Sequence, residues 1–393
     1  MTLANAHALF CGLKSEPSYL ANLTIPEDDR RDLMDARNLI RATLKQAALS
    51  IPVHDEYWQE DFARITARMR PVIHVKFMTQ GSYAYGTLNA PAQIPAQEID
   101  LDDGMYVPVQ FLQNGQPALA AKGLFVFAEA ALAPLCSRKG WQLDSSKKNC
   151  VRVKLWRGAH IDIPIYSIPQ DRFETMVEAL QKAETTALMA RDAMAQSWRL
   201  PSDQIMLAQR DGTWLQSDPQ QLHDWVNGRS ERYGAVYRRL CRFFKGWRDY
   251  TWEKSPLSSL CIMCAVDEAL RRMNGFPGDS RDDELVMEVA KLLPAIFNDK
   301  VANPVIRHLC LNEWDDDERA AIIEEAEALR DEMVAALERT GHADVVITRL
   351  RNQFGQRIPY RPDAVRIATK IETIRKAPAA KVAAPTVIPS TSG

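Results

Sequence analysis

Residues 28–49 place Leu33, Ile40 and Leu44 on one helical face, with acidic residues first and a basic residue late, the order a helix macrodipole favours. A second helical pattern covers 57–69. From 71 to 78 the period shortens to two, with Ile73, Val75 and Phe77 alternating with His74 and Lys76, which predicts a strand. That strand runs into Gln80-Gly81-Ser82, a strand-to-helix corner. Alternation returns from Ile99 to Val107 behind a Pro-containing loop, and 116–139 reads as a helix. Two further β-like segments, 150–156 and 160–166, flank the turn Arg157-Gly158. Beyond about residue 215 the pattern is almost wholly helical, with candidates over 219–228, 230–252, 256–274, 282–297, 316–340 and 361–375. The fold class expected is α+β: residues 1–215 form a mixed-sheet core with an N-terminal spine helix, and 216–375 form a helical C-terminal domain. The Ala- and Pro-rich segment 376–393 buries too little apolar surface to fold and reads as a flexible tail ending in Gly393.

Composition agrees with a folded protein and removes several function classes. Apolar residues make up 46% and charged residues 25% of the 393, enough for a substantial core. Lys and Arg number 49 against 51 Asp and Glu, a net charge of −2, which disfavours a protein that coats nucleic acid along an open basic face. No apolar run approaches the ~18–20 residues of a membrane span, and the N-terminal apolar patch has no basic residues before it, so a cytoplasmic protein is expected. Seven scattered cysteines fit reduced thiols better than a disulfide framework. The one close pair, Cys261 and Cys264, reads as two core thiols on a helix. The acidic run Asp315-Asp316-Asp317-Glu318 reads as a helix cap before it reads as a cation site.

The chemistry concentrates in residues 80–104. Asp100 and Asp102 lie two apart in a strand-like segment, so their side chains leave one face with Cα atoms ~6–7 Å apart. Such a pair can converge on two Mg²⁺ ions of the kind used in phosphoryl transfer. Asp103 points to the other face and is the weaker candidate, free to shape a turn at Gly104. Asp162 lies mid-strand, with Ile161 and Ile163 on the opposite face. A carboxylate in such apolar company is either salt-bridged, with Arg152 or Lys154, or the third metal-binding acid. Gly81 and Ser82, at the start of a predicted helix, suit a phosphate: the glycine lets the backbone approach and the serine adds a donor. On the helix 237–248, Leu240, Phe244 and Trp247 form an apolar face opposite Arg238, Arg242 and Lys245. The basic face is either solvated or aims Lys245, with Ser259 on the next helix, at a triphosphate.

Gly-Ser, then Asp-x-Asp, then a later strand Asp is the pattern of the nucleotidyltransferase fold related to DNA polymerase beta. The runs Thr79-Gln80-Gly81-Ser82, Gln97 to Tyr106, His160 to Pro164, Ser217-Asp218-Pro219, Arg242 to Asp249, Pro256 to Ser259 and Asn352 to Gly355 resemble the bacterial cGAS/DncV-like nucleotidyltransferases. Within them the chain is most similar to the 3′3′-cyclic GMP-AMP synthases of antiphage systems. The resemblance spans roughly residues 30–375 and implies an active site in the cleft between sheet core and helical domain. It implies that Asp100, Asp102 and Asp162 are the catalytic, metal-binding residues, holding two Mg²⁺ ions, with Mn²⁺ as the other candidate. It places Gln80, Gly81, Ser82 and Tyr85 at the nucleotide, with Ser82, Lys245 and Ser259 around its triphosphate and Arg152 and Lys154 near the second nucleotide. Between Arg152 and Asp162 the spacing is one residue shorter than in the family.

The implied reaction joins ATP and GTP in two rounds of two-metal nucleotidyl transfer, through a linear intermediate, into a second messenger of antiphage defence. The implied partners are an E1/E2-like ligase that conjugates the C-terminal Gly393 and a downstream effector activated by the product. Three readings compete. One is another cyclic dinucleotide or a linear oligonucleotide synthase of the same fold. The second is a catalytically silent nucleotide-binding scaffold, and the third is a nucleic-acid-activated sensor. Balanced charge argues against the RNA groove a linear synthase needs and against the basic surface of a sensor. The presence of all three acids argues against a silent scaffold.

Overall fold

The computed structural model describes residues 2–12, 16–49, 73–109, 121–156, 158–169, 173–174, 205–217, 219–273, 280–306 and 308–368. Strand β1 (Ala4–Asn5) and two single-turn helices, α1 (His7–Phe10) and α2 (Tyr19–Asn22), precede the long helix α3 (Glu27–Ala48). As its sequence predicts, α3 carries Glu27, Asp28 and Asp29 in its first turn and Lys45 in its last, and buries Leu33, Ile40 and Leu44. Strand β2 (Lys76–Gln80) turns directly into the short helix α4 (Gly81–Ala84), the expected corner. There follow β3 (Ile99–Val109), α5 (Ala121–Lys139), β4 (Gln142–Asp144), β5 (Val151–Trp156), β6 (Ala159–Ile163), β7 (Ile165–Pro169), β8 (Met206–Ala208) and β9 (Trp214–Gln216). The predicted strand 160–166 is thus two strands, because Pro164 has no N–H to give the ladder; its carbonyl still accepts from Met105 N at 2.9 Å.

Among the described residues the sheet has eight strands, in the order β4-β5-β6-β3-β7-β8-β9 with β2 also paired to β3. It is mixed: β3 is parallel to β6 and β7 and antiparallel to β2. One face of β3, with Leu101, Met105 and Val107, packs on buried residues of α3 and α5 such as Leu33, Ile40, Leu124 and Leu132. The strand continues through Gly104, so no turn forms there.

The helices α6 (Pro219–Tyr233), α7 (Ala235–Thr251), α8 (Ser259–Arg272), α9 (Asp282–Asn298), α10 (Asp316–Glu338) and α11 (Ala343–Phe354) follow among the described residues, with a two-residue strand β10 (Arg366–Ile367). The predicted helices shift by a few residues at their ends. Helix α11 is absent from the helices expected, and the helix expected over 361–375 is not seen where residues are described: 362–364 form a 3-10 turn and β10 pairs with β1. Residues 4–23, grouped by their sequence with the sheet half, contribute Leu9, Phe10, Tyr19 and Leu23 to the helical core around Phe243, Phe244 and Trp247. Cys261 and Cys264 are buried core thiols of α8. Asp315 caps α10, accepting from Glu318 N at 2.8 Å in a capping box, so the acidic run is a helix start. The helix pattern at 57–69, Arg157, Asp218 and the tail with Gly393 lie outside the described residues.

The two halves meet along α7. Its basic residues are not a solvated face; they bind the segment after α4. Arg238 Nε donates to Tyr85 O at 2.9 Å, Arg242 Nε to Asn89 Oδ1 at 3.0 Å, and Lys245 Nζ to Thr87 O at 2.7 Å. At the other end of α7, the Gln97 side-chain amide donates to the carbonyls of Asp249 and Trp252 at 2.8 and 2.9 Å. These bonds satisfy acceptors that a helix C-terminus leaves open.

Candidate active site

Strand register assembles the site. Asp102 lies opposite Gln80 on antiparallel β2 and opposite Asp162 on parallel β6, and Asp162 lies opposite Arg152 on β5. Gln80, Asp102, Asp162 and Arg152 therefore form one row across four strands, on the face of β3 turned away from α3. Two residues along, Asp100, His160 and Lys154 form a second row. Side chains in register on neighbouring strands share a face and stand close enough to interact.

Three carboxylates in such rows oppose one another unless cations intervene. Asp162 is 7% exposed and takes a bidentate pair from Arg152, Nε to Oδ1 at 2.6 Å and Nη2 to Oδ2 at 2.7 Å. The salt bridge that the sequence offers as one account of Asp162 is therefore formed, and with Arg152. Lys154 instead reaches Asp144, at 3.3 Å. Among the described residues Asp102 has no ion-pair partner of its own; burial, and then the nearby charges of Asp100 and Asp162, push its pKa up to about 8. Asp100, His160 and Asp162 bring ligand-type atoms within 4.8 Å of one another. Two carboxylates and an imidazole brought this close fit a divalent cation; Asp102, expected with Asp100 and Asp162, lies beside this group and not within it.

Gly81 is required by this geometry. Its φ is +66°, and a Cβ there would overlap the Asp102 carboxylate. Two cavities open on either side of Asp102, sharing Gly81, Tyr85, Leu222 and Leu260 in their walls. One, of about 390 Å³, is lined by Gln80, Asp102, Cys150, Asp162 and Tyr166, with Asn303 and Ile306 from the helical half. The other, of about 480 Å³, is lined by Ser82, Glu98, Asp100, Asp102, His160, Lys245 and Ser259. The residues expected around a triphosphate thus meet in one cavity beside Asp100, and Gln80 lies in the other. Arg152 and Lys154 line neither.

Lys245 is buried, and desolvation followed by the nearby Arg248 lowers its pKa to about 8. Ser259, the first residue of α8, accepts from Arg248 Nη1 at 3.0 Å. Gln80, in the wall of the first cavity, donates from Nε2 to Tyr166 Oη at 3.1 Å, and its buried Oε1 has no partner among the described residues. Tyr85 is buried edge-on to His223, ring centroids 5.9 Å apart. The thiol of Cys150 is held protonated by burial and by Asp162.

The sequence pattern assigns no role to His160 or Glu98. His160 Nδ1 lies 2.6 Å from Glu98 Oε2, while Nε2 lies 3.0 Å from Asp100 Oδ1 and 3.9 Å from Asp162 Oδ1. Burial lowers the proton affinity of this imidazole, but the Asp100 and Asp162 carboxylates outweigh it and its pKa is raised. The signal that could find it lies in the alternation: His160 is two residues from Asp162 and so leaves the same face.

Two family models match the chain. Residues 75–166 match that of the cyclic GMP-AMP synthase DncV-like nucleotidyltransferase domain, and 234–366 that of the cyclic GMP-AMP synthase C-terminal domain. The chain is 32% identical over 340 residues to a cyclic GMP-AMP synthase of Escherichia coli (strain TW11681), covering 82% of this chain and 75% of that protein. It is also 32% identical over 282 residues to a cyclic GMP-AMP synthase of Vibrio cholerae, covering 68% of this chain and 62% of that protein. A solved structure of a Vibrio cholerae di-nucleotide cyclase (DncV) mutant in complex with ATP, GTP and 5MTHFGLU2 matches with a TM-score of 0.76 at 26% identity, over 94% of this chain and 100% of that one. Vibrio cholerae DncV in complex with a linear intermediate matches with a TM-score of 0.73 at 25% identity, over 94% and 100% of the two chains.

Proposed function

The chain belongs to the DncV-like cyclic GMP-AMP synthase family, and from that premise we propose that it makes 3′3′-cyclic GMP-AMP from ATP and GTP by two nucleotidyl transfers. The observation that carries this reading is the position of Asp102, at the centre of a four-strand polar row and on the shared wall of two cavities. A nucleotidyltransferase that joins two nucleotides needs a donor and an acceptor pocket meeting at its acids.

Asp100, Asp102 and Asp162 are the residues to hold the metal, and Mg²⁺ is the ion proposed. Bound there, the metal supplies charge neutralisation at the α-phosphate and at the departing pyrophosphate. The chain's own groups do the rest. Ser82, Lys245 and Ser259 bind the triphosphate of the donor, and Gly81 allows the backbone to lie against it. Asp162 draws the proton from the acceptor's 3′-hydroxyl, held in orientation by the fork of Arg152. The hydroxyl oxygen forms a bond to the α-phosphorus as the α–β phosphoanhydride breaks, releasing pyrophosphate. The linear dinucleotide keeps one triphosphate, and after turning over in the two cavities it repeats the step on itself to close the ring. Gln80 and Tyr85 bind the nucleotide, and Lys154 serves the second nucleotide once released from Asp144.

The wider role proposed is that of a cytoplasmic source of second messenger in antiphage defence, with a separate effector activated by the product and no nucleic acid activator. An E1/E2-like ligase acting on Gly393 is the proposed conjugation partner. Among the described residues no helix is long and apolar enough to cross a membrane.

The test incubates the purified chain with Mg²⁺ and all four NTPs and identifies products by mass spectrometry and nuclease sensitivity. Cyclic GMP-AMP with two 3′–5′ linkages is expected from ATP and GTP. A different cyclic product would keep the mechanism and change the bases. Bound nucleotide without product, or full activity in the Asp100→Ala, Asp102→Ala double variant, would defeat the reading.

A further inference from the structure

His160 is more than a filler of the second polar row. It is 5% exposed, and its Nε2 faces Asp100 Oδ1 at 3.0 Å out of hydrogen-bonding alignment, so among the described residues both buried atoms are without a hydrogen-bond partner. The other ring nitrogen, Nδ1, is engaged by Glu98 Oε2 at 2.6 Å. A carboxylate holding one nitrogen while the second points at a group of acids is the arrangement of a metal-binding histidine, in which the outer carboxylate fixes the tautomer and aims the ring. Glu98, Asp100 and His160 all line the 480 Å³ cavity, so an ion entering with a nucleotide reaches the space between His160 Nε2 and the Asp100 carboxylate. Asp100, the most open of the group with its side chain 44% exposed, faces the same opening.

We propose that His160 Nε2 is itself a ligand, binding one divalent cation together with carboxylate oxygens of Asp100 and Asp162, with Glu98 as the residue that orients the ring. This deepens the cyclase reading and rests on it for the identity of the site. A nitrogen donor changes which ion the site prefers. Mg²⁺ demands oxygen ligands in a near-ideal octahedron and sheds water reluctantly, whereas imidazole suits first-row transition ions. The nitrogen therefore raises the position's affinity for first-row transition ions more than its affinity for Mg²⁺.

The probe is Mn²⁺ bound to the full chain without nucleotide, read by pulsed electron paramagnetic resonance and by titration calorimetry. The expected spectrum carries coupling from one imidazole nitrogen, which changes to the ¹⁵N pattern when the protein is grown with ¹⁵N-histidine. His160→Gln, which keeps a polar side chain of similar reach, should lose that coupling and weaken Mn²⁺ binding by at least ~10-fold, with a smaller loss for Mg²⁺. Glu98→Gln should keep the coupling and weaken Mn²⁺ binding by less than His160→Gln. A bound Mn²⁺ without nitrogen coupling in the unaltered protein overturns the assignment whether or not the variants fold, as does an equal loss of both metals in His160→Gln. Incubating the same preparations with ATP and GTP separates the two readings: nitrogen coupling without cyclic product supports the ligand and defeats the cyclase, while product without coupling does the reverse.

Discussion

The two faces of strand β3 carry adjacent aspartates in opposite conditions. On the face toward α3, Asp103 is fully buried and satisfied: Arg41 Nε donates to Oδ2 at 2.6 Å, Arg41 Nη2 also binds Oδ1, and Thr79 Oγ1 donates to Oδ1 at 3.1 Å. Arg37 and Arg41 both donate to that hydroxyl in turn, at 3.1 and 3.0 Å. On the opposite face Asp102 is half-buried and faces two further carboxylates, Asp100 and Asp162, offset only in part by the charges of His160 and Arg152. One aspartate anchors the spine helix to the sheet, and the next is left needing charge from a ligand. A satisfied buried charge serves structure, and a partly buried charge without its own cation prepares binding at some cost in stability.

The largest effect separates the faces by activity. Asp102→Asn should lower synthesis by at least ~10²–10³-fold, measured as the rate of cyclic product, since it removes a group placed at the reacting phosphate. The same change should stabilise the metal-free protein at neutral pH. The folded pKa of Asp102, about 8, lies above the ordinary 3.8, so between these values the native state holds a proton the unfolded chain has released. Stability therefore falls as pH rises from about 4 to about 8, by at most ~1.4 kcal/mol for each pH unit crossed. Denaturant titrations in EDTA should show this decline in the parent protein and a flatter curve in Asp102→Asn. An unchanged slope would mean that the acid is compensated in solution.

Arg41→Met tests the satisfied face. It leaves Asp103 buried without its cation and should cost about 3–5 kcal/mol, read from denaturant midpoints. The fraction that remains folded should retain its kcat. Adding Asp103→Leu should recover most of the stability, because the pair is then replaced by apolar groups. A large drop in kcat with little loss of stability would show that the two faces are coupled. Thr79→Val, which removes only the hydroxyl between the arginines and Asp103, is the mildest probe, at about 1 kcal/mol with synthesis unaltered.

Alternation alone is enough to put Asp100 and Asp102 on one face and Asp103 on the other, and the strand-to-helix corner at Gln80-Gly81 is equally legible. The partner of Asp103 is not, because Arg41 lies on a helix whose own period marks only its apolar face. The basic residues of α7 are legible as one face, yet their role in joining the halves depends on the backbone of 85–89 being brought beneath them. Arg152 and Lys154 alternate identically in sequence, and only register sends one to Asp162 and the other to Asp144.

By itself the sequence determined periods, faces, helix charges and the supply of acids, since these depend on neighbours a few residues apart along the chain. Only the tertiary structure decided that Gln80, Asp102, Asp162 and Arg152 meet in one row, that His160 closes on Asp100, and that β10 returns to β1. Those contacts are set by strand register and by the burial of separate cores, free energies summed over segments distant in the chain that no local pattern records.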